Sequence, residues 1–263
     1  MRETNFAGID VGASTTKAVV IDHRAEVRGY ALTHSGADFK SAADSVFREA
    51  MTMAGCGASL DARVVSTGYG RRNVPFSNEA KTEISCHAKG SFHHYPHAHT
   101  LIDIGGQDSK VIRVDDRGKR VAFKMNRKCA AGTGAFLEEI AYRLKIPVEK
   151  LNALAEKALK EVPLGSYCTV FTATELLAKI REGVEVSDLI KGIFGSVIKR
   201  AFEMDPLEGD IVMSGGVVAH NPFLVTMFEE KLGKIIYVPP RPQLTGALGA
   251  ALFAREKEGG YHA

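Results

Sequence analysis

Two segments of this chain share one pattern, an aspartate inside an apolar run that ends at a glycine turn. The first is Gly8-Ile9-Asp10-Val11-Gly12, and the second is Leu101-Ile102-Asp103-Ile104-Gly105-Gly106. Each segment then crosses small polar residues and resumes as a second apolar run, at 18–21 and at 111–114. The pattern predicts two β-hairpins with polar, glycine-bearing tips. Because the aspartates are 93 positions apart (103 minus 10), we expect two similar lobes with a cleft between them.

The rest of the chain alternates between helical and strand patterns. The 263 residues allow one large domain or two modest lobes. The strongest helical stripe of apolar residues runs from Leu189 to Phe202, and a buried-strand pattern at 211–213 ends at a third glycine turn, Gly215-Gly216. This alternation predicts the α/β class with mixed sheets.

Composition and charge exclude several classes of protein. The contents of 45% hydrophobic and 25% charged residues are those of a globular protein. A net charge of +3 is too small to favour nucleic-acid binding. No apolar run approaches the roughly 18 residues that span a bilayer, and residues 1–6 lack the apolar core of a signal peptide. We therefore expect a cytoplasmic protein that binds neither nucleic acid nor membrane.

The three glycine turns and two aspartates together indicate a nucleotide site. Each turn lacks the Cβ atoms that would keep a backbone away from phosphate, and small or hydroxyl side chains follow it. Asp10 and Asp103 are suited to bind Mg²⁺ mostly through its waters. A structural turn explains any single glycine, but three in this order with paired aspartates favour a bound triphosphate. The sequence contains neither the phosphate loop of P-loop proteins nor the dinucleotide-binding glycine motif after a strand.

These motifs resemble those of the ATPase superfamily of actin, hexokinase and the Hsp70 chaperones. Its first phosphate motif is matched by Asp10, Gly12, Ala13, Ser14, Thr15, Thr16 and Lys17. Its second phosphate motif is matched by Asp103, Gly105, Gly106, Gln107 and Asp108. Its adenosine motif is matched by Gly215, Gly216 and Val217. The resemblance implies two ribonuclease H-like lobes with a nucleotide cleft between them. The first lobe would be 1–96, completed by a C-terminal helix at 245–263, and the second 97–244.

The resemblance also implies roles for some of these residues. Asp103 and Gln107 would position the attacking water, and Gly215 and Gly216 would let adenosine lie against the backbone. For Lys17 and Asp108, contacts with phosphate or metal and roles confined to the surface or the hairpin both stay open.

Two of the four cysteines, Cys129 and Cys168, each stand just before a helical pattern. The positive end of a helix stabilises a thiolate, which is the form that binds metal. Two thiolates are half of the ligand set of an iron–sulfur cubane or a structural zinc site. A twofold dimer would supply the other half, because it presents the same pair twice. Two buried, unreactive cysteines remain the alternative from spacing alone.

A closer resemblance concerns the activators of 2-hydroxyacyl-CoA dehydratases, which are related to the ATPase subunits of benzoyl-CoA reductase. The matching segments are 82–90, 101–110, 126–138 and 168–171, including Lys128-Cys129-Ala130-Ala131-Gly132-Thr133-Gly134. The resemblance implies an enzyme of anaerobic metabolism, a homodimer with one 4Fe-4S cluster at the subunit interface, held by Cys129 and Cys168. ATP hydrolysis to ADP would drive one low-potential electron to an acyl-CoA dehydratase or related reductase, with ferredoxin or flavodoxin as donor. Cys56 and Cys86 are then not ligands.

One departure and two alternatives accompany this interpretation. Members of the family often carry Ala-Glu-Ser-Glu after the second cysteine segment, whereas this chain reads Thr172-Ala173-Thr174-Glu175 and has one carboxylate fewer. A small-molecule kinase of the same superfamily, such as an acetylated-sugar kinase, is the main alternative, although few residues remain for a substrate pocket. A non-enzymatic filament or structural dimer is the other. Five histidines between 87 and 99 show no fixed zinc spacing.

Overall fold

The structure is a computed structural model that describes residues 5–56, 62–127, 129–165 and 168–256. These residues form ten β-strands and nine α-helices, with short 3₁₀ turns at Arg71–Asn73, Val148–Lys150 and Pro242–Leu244. The chain divides into two compact units. One comprises Met1–Ala98, Arg113–Val121 and Leu244–Ala263, and the other His99–Ile112 and Ala122–Gln243. No helix of the described residues has both the length and the apolar character needed to cross a membrane.

The first unit is built on a five-stranded sheet. Its strands are β1 (Asn5–Val11), β2 (Thr15–Ile21), β3 (Val27–His34), β4 (Ala62–Thr67) and β5 (Glu79–Ala80). Their order is β3-β2-β1-β4-β5, with β1–β2 and β2–β3 antiparallel and β1–β4 and β4–β5 parallel. β2 consists mostly of β-branched residues, and both β1 and β2 are almost wholly buried, as expected of central strands covered on both faces.

Three helices cover this sheet. They are α1 (Phe39–Met53), α2 (Glu83–His94) and α9 (Thr245–Glu256), the last of which accounts for the described part of the predicted C-terminal helix; 257–263 lie outside the described residues. α1 begins after Asp38, whose side chain accepts a hydrogen bond from the Ser41 N–H at 3.1 Å as an N-cap. α1 packs on β1–β3, and α9 packs on α2, β1, β2 and β4, so separate apolar clusters fill the two sides.

The second five-stranded sheet repeats the strand order of the first. Its strands are β6 (His99–Ile104), β7 (Ser109–Val114), β8 (Arg120–Asn126), β9 (Ile211–Ser214) and β10 (Ile236–Tyr237), in the order β10-β9-β6-β7-β8. β9 runs parallel to β6 and to β10. Each sheet therefore places the first strand of a hairpin at its centre, with the next strand of the chain on one side and a parallel strand on the other. Both hairpins predicted from the sequence are confirmed.

Six helices belong to the second unit. They are α3 (Gly134–Leu144), α4 (Leu151–Glu156), α5 (Thr169–Arg181), α6 (Val186–Met204), α7 (Gly216–His220) and α8 (Pro222–Leu232). The predicted stripe of α6 is the centre of the core, where Ile193, Phe194 and Ile198 have no solvent exposure. Burying each of these side chains contributes about 1.5–3 kcal/mol. The core fixes the helices that follow the two cysteine segments.

Candidate functional site

The tip of the first hairpin is held by backbone and hydroxyl hydrogen bonds. The Gly12 N–H donates to the Thr15 carbonyl at 3.1 Å and closes the turn. The Ser35 hydroxyl donates to the Gly12 carbonyl at 2.6 Å and lies 2.9 Å from the Thr16 hydroxyl, which therefore donates to Ser35. Ala13 is exposed and Ser14 half-buried, so the tip presents small side chains and its own backbone. Sequence reasoning missed Ser35, which is far from the motif in the chain.

Asp10 lies buried at the base of this tip. Its Oδ2 is 3.5 Å from Lys17 Nζ, and the two residues are cross-strand partners in β1 and β2. Among the described residues its Oδ1 has no hydrogen-bond partner although it is buried. A buried carboxylate oxygen without a partner is costly. Asp10 therefore fits a site at which water, or a water bound to a metal ion, supplies the missing donor.

Two glycines make room around the Asp10 carboxylate. Gly68 has φ +88°, which favours glycine, and a Cβ on it would overlap Asp10 Oδ1. A Cβ on Gly246, at the start of α9, would lie 2.9 Å from Asp10 Oδ2 and 2.8 Å from His87 Nε2. Both glycine backbones therefore lie close against the Asp10 carboxylate, at positions where a side chain would not fit.

The tip of the second hairpin has the same backbone turn and a denser set of charges. The Gly105 N–H donates to the Asp108 carbonyl at 2.9 Å. Asp103, 2% exposed, accepts a hydrogen bond at Oδ1 from the Ser214 hydroxyl at 2.7 Å. Its Oδ2 is 3.1 Å from the ammonium nitrogen of Lys110, which is also 2.7 Å from Asp108 Oδ1. Gln107 is exposed at the tip. Asp108 thus makes a contact within the hairpin, one of the two alternatives left open by its sequence.

Lys110 is a residue that sequence reasoning missed. The signal was present, because the spacing of 93 residues that relates Asp10 to Asp103 also relates Lys17 to Lys110 (110 minus 17). It likewise relates the hydrogen-bonded pairs Gly12–Thr15 and Gly105–Asp108. The repeat in the sequence therefore extends to the ion pair of each hairpin.

The third glycine turn lies at the end of β9. Gly215 has φ +103°, and a Cβ there would overlap the Ile104 carbonyl oxygen, so only glycine fits. Its N–H donates to the Pro242 carbonyl at 3.0 Å. Gly216 begins α7, and the Val217 side chain is buried in the apolar core. A nucleotide at this turn would contact Gly215 and Gly216 through their backbone, whereas Val217 contributes packing.

The loop that carries Cys129 differs from the prediction. α3 begins at Gly134 with Thr133 as N-cap residue, so Cys129 stands four residues before the cap, exposed, and the prediction of an N-terminal helix position was wrong. The physical reason is Gly132, whose φ of +77° is incompatible with a helix and where a Cβ would overlap the Arg200 side chain. The Asn126 side chain donates to the carbonyls of Cys129 and Ala131, at 3.1 and 3.0 Å, and fixes the loop. Lys128 lies outside the described residues.

Backbone hydrogen bonds join this cysteine loop to the second hairpin tip. The Gly134 N–H donates to the Gly105 carbonyl at 2.9 Å, and the Ala135 N–H donates to the Gly106 carbonyl at 2.7 Å. The first N–H groups of a helix have no partner within the helix, so these donors are available for such contacts. The glycine pair of the predicted phosphate motif is therefore hydrogen-bonded directly to the start of α3.

Cys168 occupies the predicted helix position. It is the N-cap residue of α5, half-buried, with an extended backbone. The Glu175 carboxylate, two turns into the same helix, accepts the Gly165 N–H at 2.9 and 3.0 Å. α5 packs against α3, so the helices that follow the two cysteines are in contact. Glu175, which the sequence presented only as the retained carboxylate of a motif, anchors the chain that leads to Cys168.

The other two cysteines differ in burial. Cys86 is wholly buried on α2, and burial is the main cause that raises its pKa to about 12. Burial also raises the pKa of Cys56. None of the four cysteines, all within the described residues, forms a disulfide bond. In the same part of the chain no group of three or more His, Cys, Asp or Glu side chains is placed to hold a metal ion. Of the three thiols other than Cys86, Cys129 is exposed, and Cys56 and Cys168 are half-buried.

Comparison with known proteins gives matches along nearly the whole chain. The BadF/BadG/BcrA/BcrD ATPase family matches residues 7–254. The activator of lactoyl-CoA dehydratase from Anaerotignum propionicum is 41% identical over 252 residues, 95% of this chain and 96% of that protein.

Two solved structures share the fold. Component A of the (R)-2-hydroxyglutaryl-CoA dehydratase of Acidaminococcus fermentans has a TM-score of 0.92 and 37% identity, over 97% of this chain and 99% of that one. The activator of the 2-hydroxyisocaproyl-CoA dehydratase from Clostridium difficile, with bound ADPNP, has a TM-score of 0.90 and 35% identity, over 99% and 98%. The predicted fold class and the resemblance to dehydratase activators are confirmed.

Proposed function

We propose that this chain, which belongs to the BadF/BadG/BcrA/BcrD ATPase family, is an ATP-hydrolysing activator that delivers a low-potential electron to a 2-hydroxyacyl-CoA dehydratase or a related enzyme. The observation that carries the proposal is the pair of backbone hydrogen bonds from Gly134 and Ala135 to Gly105 and Gly106. It connects a phosphate-type turn to the loop of Cys129.

The nucleotide part of the proposal assigns roles to the glycine tips and the aspartates. The tips at Gly12 to Lys17 and at Gly105 to Asp108 would bind the phosphates of ATP, and Gly215 and Gly216 the adenosine. Asp10, with its buried Oδ1 in need of a donor, would hold Mg²⁺ through a bound water. Asp103 would accept a hydrogen bond from the attacking water, and the exposed Gln107 would orient that water. Hydrolysis yields ADP and phosphate.

The metal part of the proposal rests on Cys129 and Cys168. Both lie in segments that match the activators, at 126–138 and 168–171, and neither is wholly buried. Cys86 is buried with a pKa of about 12, and the half-buried Cys56 lies in no matching segment, so the first two are the suitable ligands. A 4Fe-4S cluster, which supplies one-electron chemistry when bound, needs four thiolates. Two chains related by a twofold axis would supply them, so we infer a homodimer with one cluster at the subunit interface.

The coupling between the two parts is a property of this chain's backbone. ATP and ADP bias a conformational equilibrium only in so far as they bind its two states with different affinity. A shift of Gly105 and Gly106 that follows the phosphates would move the start of α3, and the Asn126 side chain ties that segment to Cys129. Ferredoxin or flavodoxin would supply the electron, and the acyl-CoA dehydratase would receive it.

The kinase alternative has less support. An activator of lactoyl-CoA dehydratase matches 95% of this chain at 41% identity, and the structure with bound ADPNP is that of another activator, whereas a ROK family glucokinase of similar fold is only 13% identical.

An anaerobic iron and absorption assay tests the proposal. We expect the wild-type protein to bind iron and sulfide, to absorb near 400 nm as iron–sulfur proteins do, and to hydrolyse ATP. Cys129→Ser and Cys168→Ser should lose the iron, and Cys56→Ser is the matched control that should keep it. Equal iron in all four proteins, or none in the wild type after reconstitution, would remove the electron-transfer function. Phosphorylated sugar formed in step with ATP loss would favour the kinase instead.

A further inference from the structure

Lys110 is a lysine in a place where lysines are rare. It lies in β7, is 2% exposed and is among the largest fully buried side chains of the described residues. Lysine is almost never buried to this extent unless it is paired. Here its ammonium nitrogen is 3.1 Å from Asp103 Oδ2 and 2.7 Å from Asp108 Oδ1. The pairing brings together a buried carboxylate and a carboxylate of the hairpin tip.

The equivalent lysine of the first hairpin, Lys17, makes a longer ion pair with its aspartate. Lys17 Nζ is 3.5 Å from Asp10 Oδ2, and the side chain is more exposed than that of Lys110. The position equivalent to Asp108 is Thr15 (108 minus 93), which has no charge. Asp10 also keeps a buried oxygen without a hydrogen-bond partner among the described residues, whereas both oxygens of Asp103 are engaged, by Lys110 and by Ser214.

The two hairpins therefore hold their aspartates differently. When both oxygens of an aspartate accept hydrogen bonds, the orientation of the carboxylate and of its remaining lone pairs is fixed. A carboxylate with a partner on only one oxygen can rotate. A water that must attack a phosphorus atom in line gains from such fixed acceptors, because misplacement by about 1 Å can cost about 100-fold in rate.

We propose that Lys110 is a positioning residue for ATP hydrolysis: it holds Asp103 and Asp108 in a fixed arrangement and thereby fixes the acceptor for the attacking water. The inference rests on the proposed function, in which Asp103 serves that water. Lys110 itself transfers no proton and contacts no reacting atom. Its contribution belongs to the rate of the hydrolytic step and not to the affinity for nucleotide.

A purely structural role of Lys110 makes a different prediction. In that case its positive charge merely balances two carboxylates inside the fold, and removing one charge of each sign should restore both stability and activity. The variant Lys110→Met removes the ammonium group from a side chain of similar length. The double variant Lys110→Met/Asp108→Asn also removes the carboxylate that faces solvent, and so restores the charge balance.

The experiment measures kcat and KM for ATP hydrolysis, the dissociation constant of ADPNP by calorimetry and the thermal midpoint, on full-length anaerobically prepared protein. For Lys110→Met we expect kcat to fall about 100-fold, with the dissociation constant of ADPNP within about threefold of wild type. In the double variant we expect the thermal midpoint to recover while kcat stays low. Lys231→Met, which breaks an exposed ion pair with Glu161, is the matched control and should behave as wild type.

Several outcomes would overturn the inference. If kcat recovers together with the thermal midpoint in the double variant, Lys110 only balances charge. If Lys110→Met keeps the wild-type kcat while Asp103→Asn hydrolyses ATP slowly, the proposed function stands and the role of Lys110 fails. If Asp103→Asn itself has wild-type turnover, the role proposed for Asp103 fails and that of Lys110 fails with it. Where Lys110→Met does not fold, the kcat of the double variant is compared with that of Asp108→Asn, and equal values would show that Lys110 adds nothing to the rate.

Discussion

At the scale of single residues, burial separates Cys86 from the other three thiols. Cys129 is exposed and Cys168 half-buried, whereas Cys86 has no solvent exposure. The spacing of the four cysteines offered no way to make this distinction, because burial depends on helices α2 and α9 packing together.

Alkylation of the cluster-free folded protein checks this difference. With a pKa of about 12, Cys86 has about one thiolate in ten thousand molecules at pH 8, in addition to being inaccessible. We expect iodoacetamide to modify Cys129 and Cys168 within minutes and Cys86 only after unfolding, as read by peptide mass spectrometry. Rapid modification of Cys86 in the folded protein would show that α2 does not protect it.

The aspartates of the two hairpins were found from the sequence repeat, but one of their partners was not. The sequence repeat identified Asp10 and Asp103, and the same spacing also pairs Lys17 with Lys110. Ser214 could not be found in this way. It reaches Asp103 from β9, which is 111 positions away in the chain and becomes a neighbour only through the parallel pairing of β6 with β9.

At the scale of elements, the start of α3 is the part of the fold that links the two proposed sites. Ala135 lies in the first turn of α3, where a proline is tolerated best because the helix itself does not use that N–H. In this protein the N–H is used, since it donates to the Gly106 carbonyl.

We therefore expect Ala135→Pro to uncouple ATP from the metal centre. In the wild type, ATP should change the rate at which a chelator removes iron, and in Ala135→Pro the ratio of the rates with and without ATP should approach one. Ala135→Ser keeps the N–H and is the control. An unchanged ratio in Ala135→Pro would mean that nucleotide reaches the cluster by another route.

A second element-scale prediction concerns α5. The Glu175 carboxylate receives the Gly165 N–H, and hydrogen bonds to charged groups are worth about 1.5–3 kcal/mol against about 0.5–1.5 kcal/mol for neutral ones. Glu175→Gln should loosen the segment before Cys168 and speed the chelation of iron several-fold. Glu182→Gln, at the C-cap of the same helix, is the control. Equal chelation rates in the two variants would show that this carboxylate does not protect the cluster ligand.

At the scale of the whole molecule, the two sheets share one strand order, so the prediction of two similar lobes agrees with the topology. The lobe limits of 1–96 with 245–263 and of 97–244 stay a prediction. The two ligands proposed for each chain, Cys129 and Cys168, are half of the set that a cubane cluster needs.

The stoichiometry of the assembly follows from this half set. We expect anaerobic protein to have a native mass of twice 28.4 kDa with two iron atoms per chain, measured by analytical ultracentrifugation and iron assay. Cys129→Ser should lose iron and shift toward the mass of a single chain. Four iron atoms per chain in a monomer would contradict a shared cluster.

The sequence by itself determined the features that depend on neighbours in the chain: both hairpins, their glycine tips, the helical stripe of α6 and the position of Cys168 at the start of α5. Side-chain periodicity and turn residues depend only on residues close together in the chain, so these features can be recognised in the sequence. Only the tertiary structure decided which groups meet. Ser214 reaches Asp103, the start of α3 reaches Gly105 and Gly106, and Gly132 delays α3 beyond Cys129 because its backbone fits against Arg200. These contacts join residues far apart in the chain, and packing and hydrogen bonding fix them only once the sheets and helices have assembled.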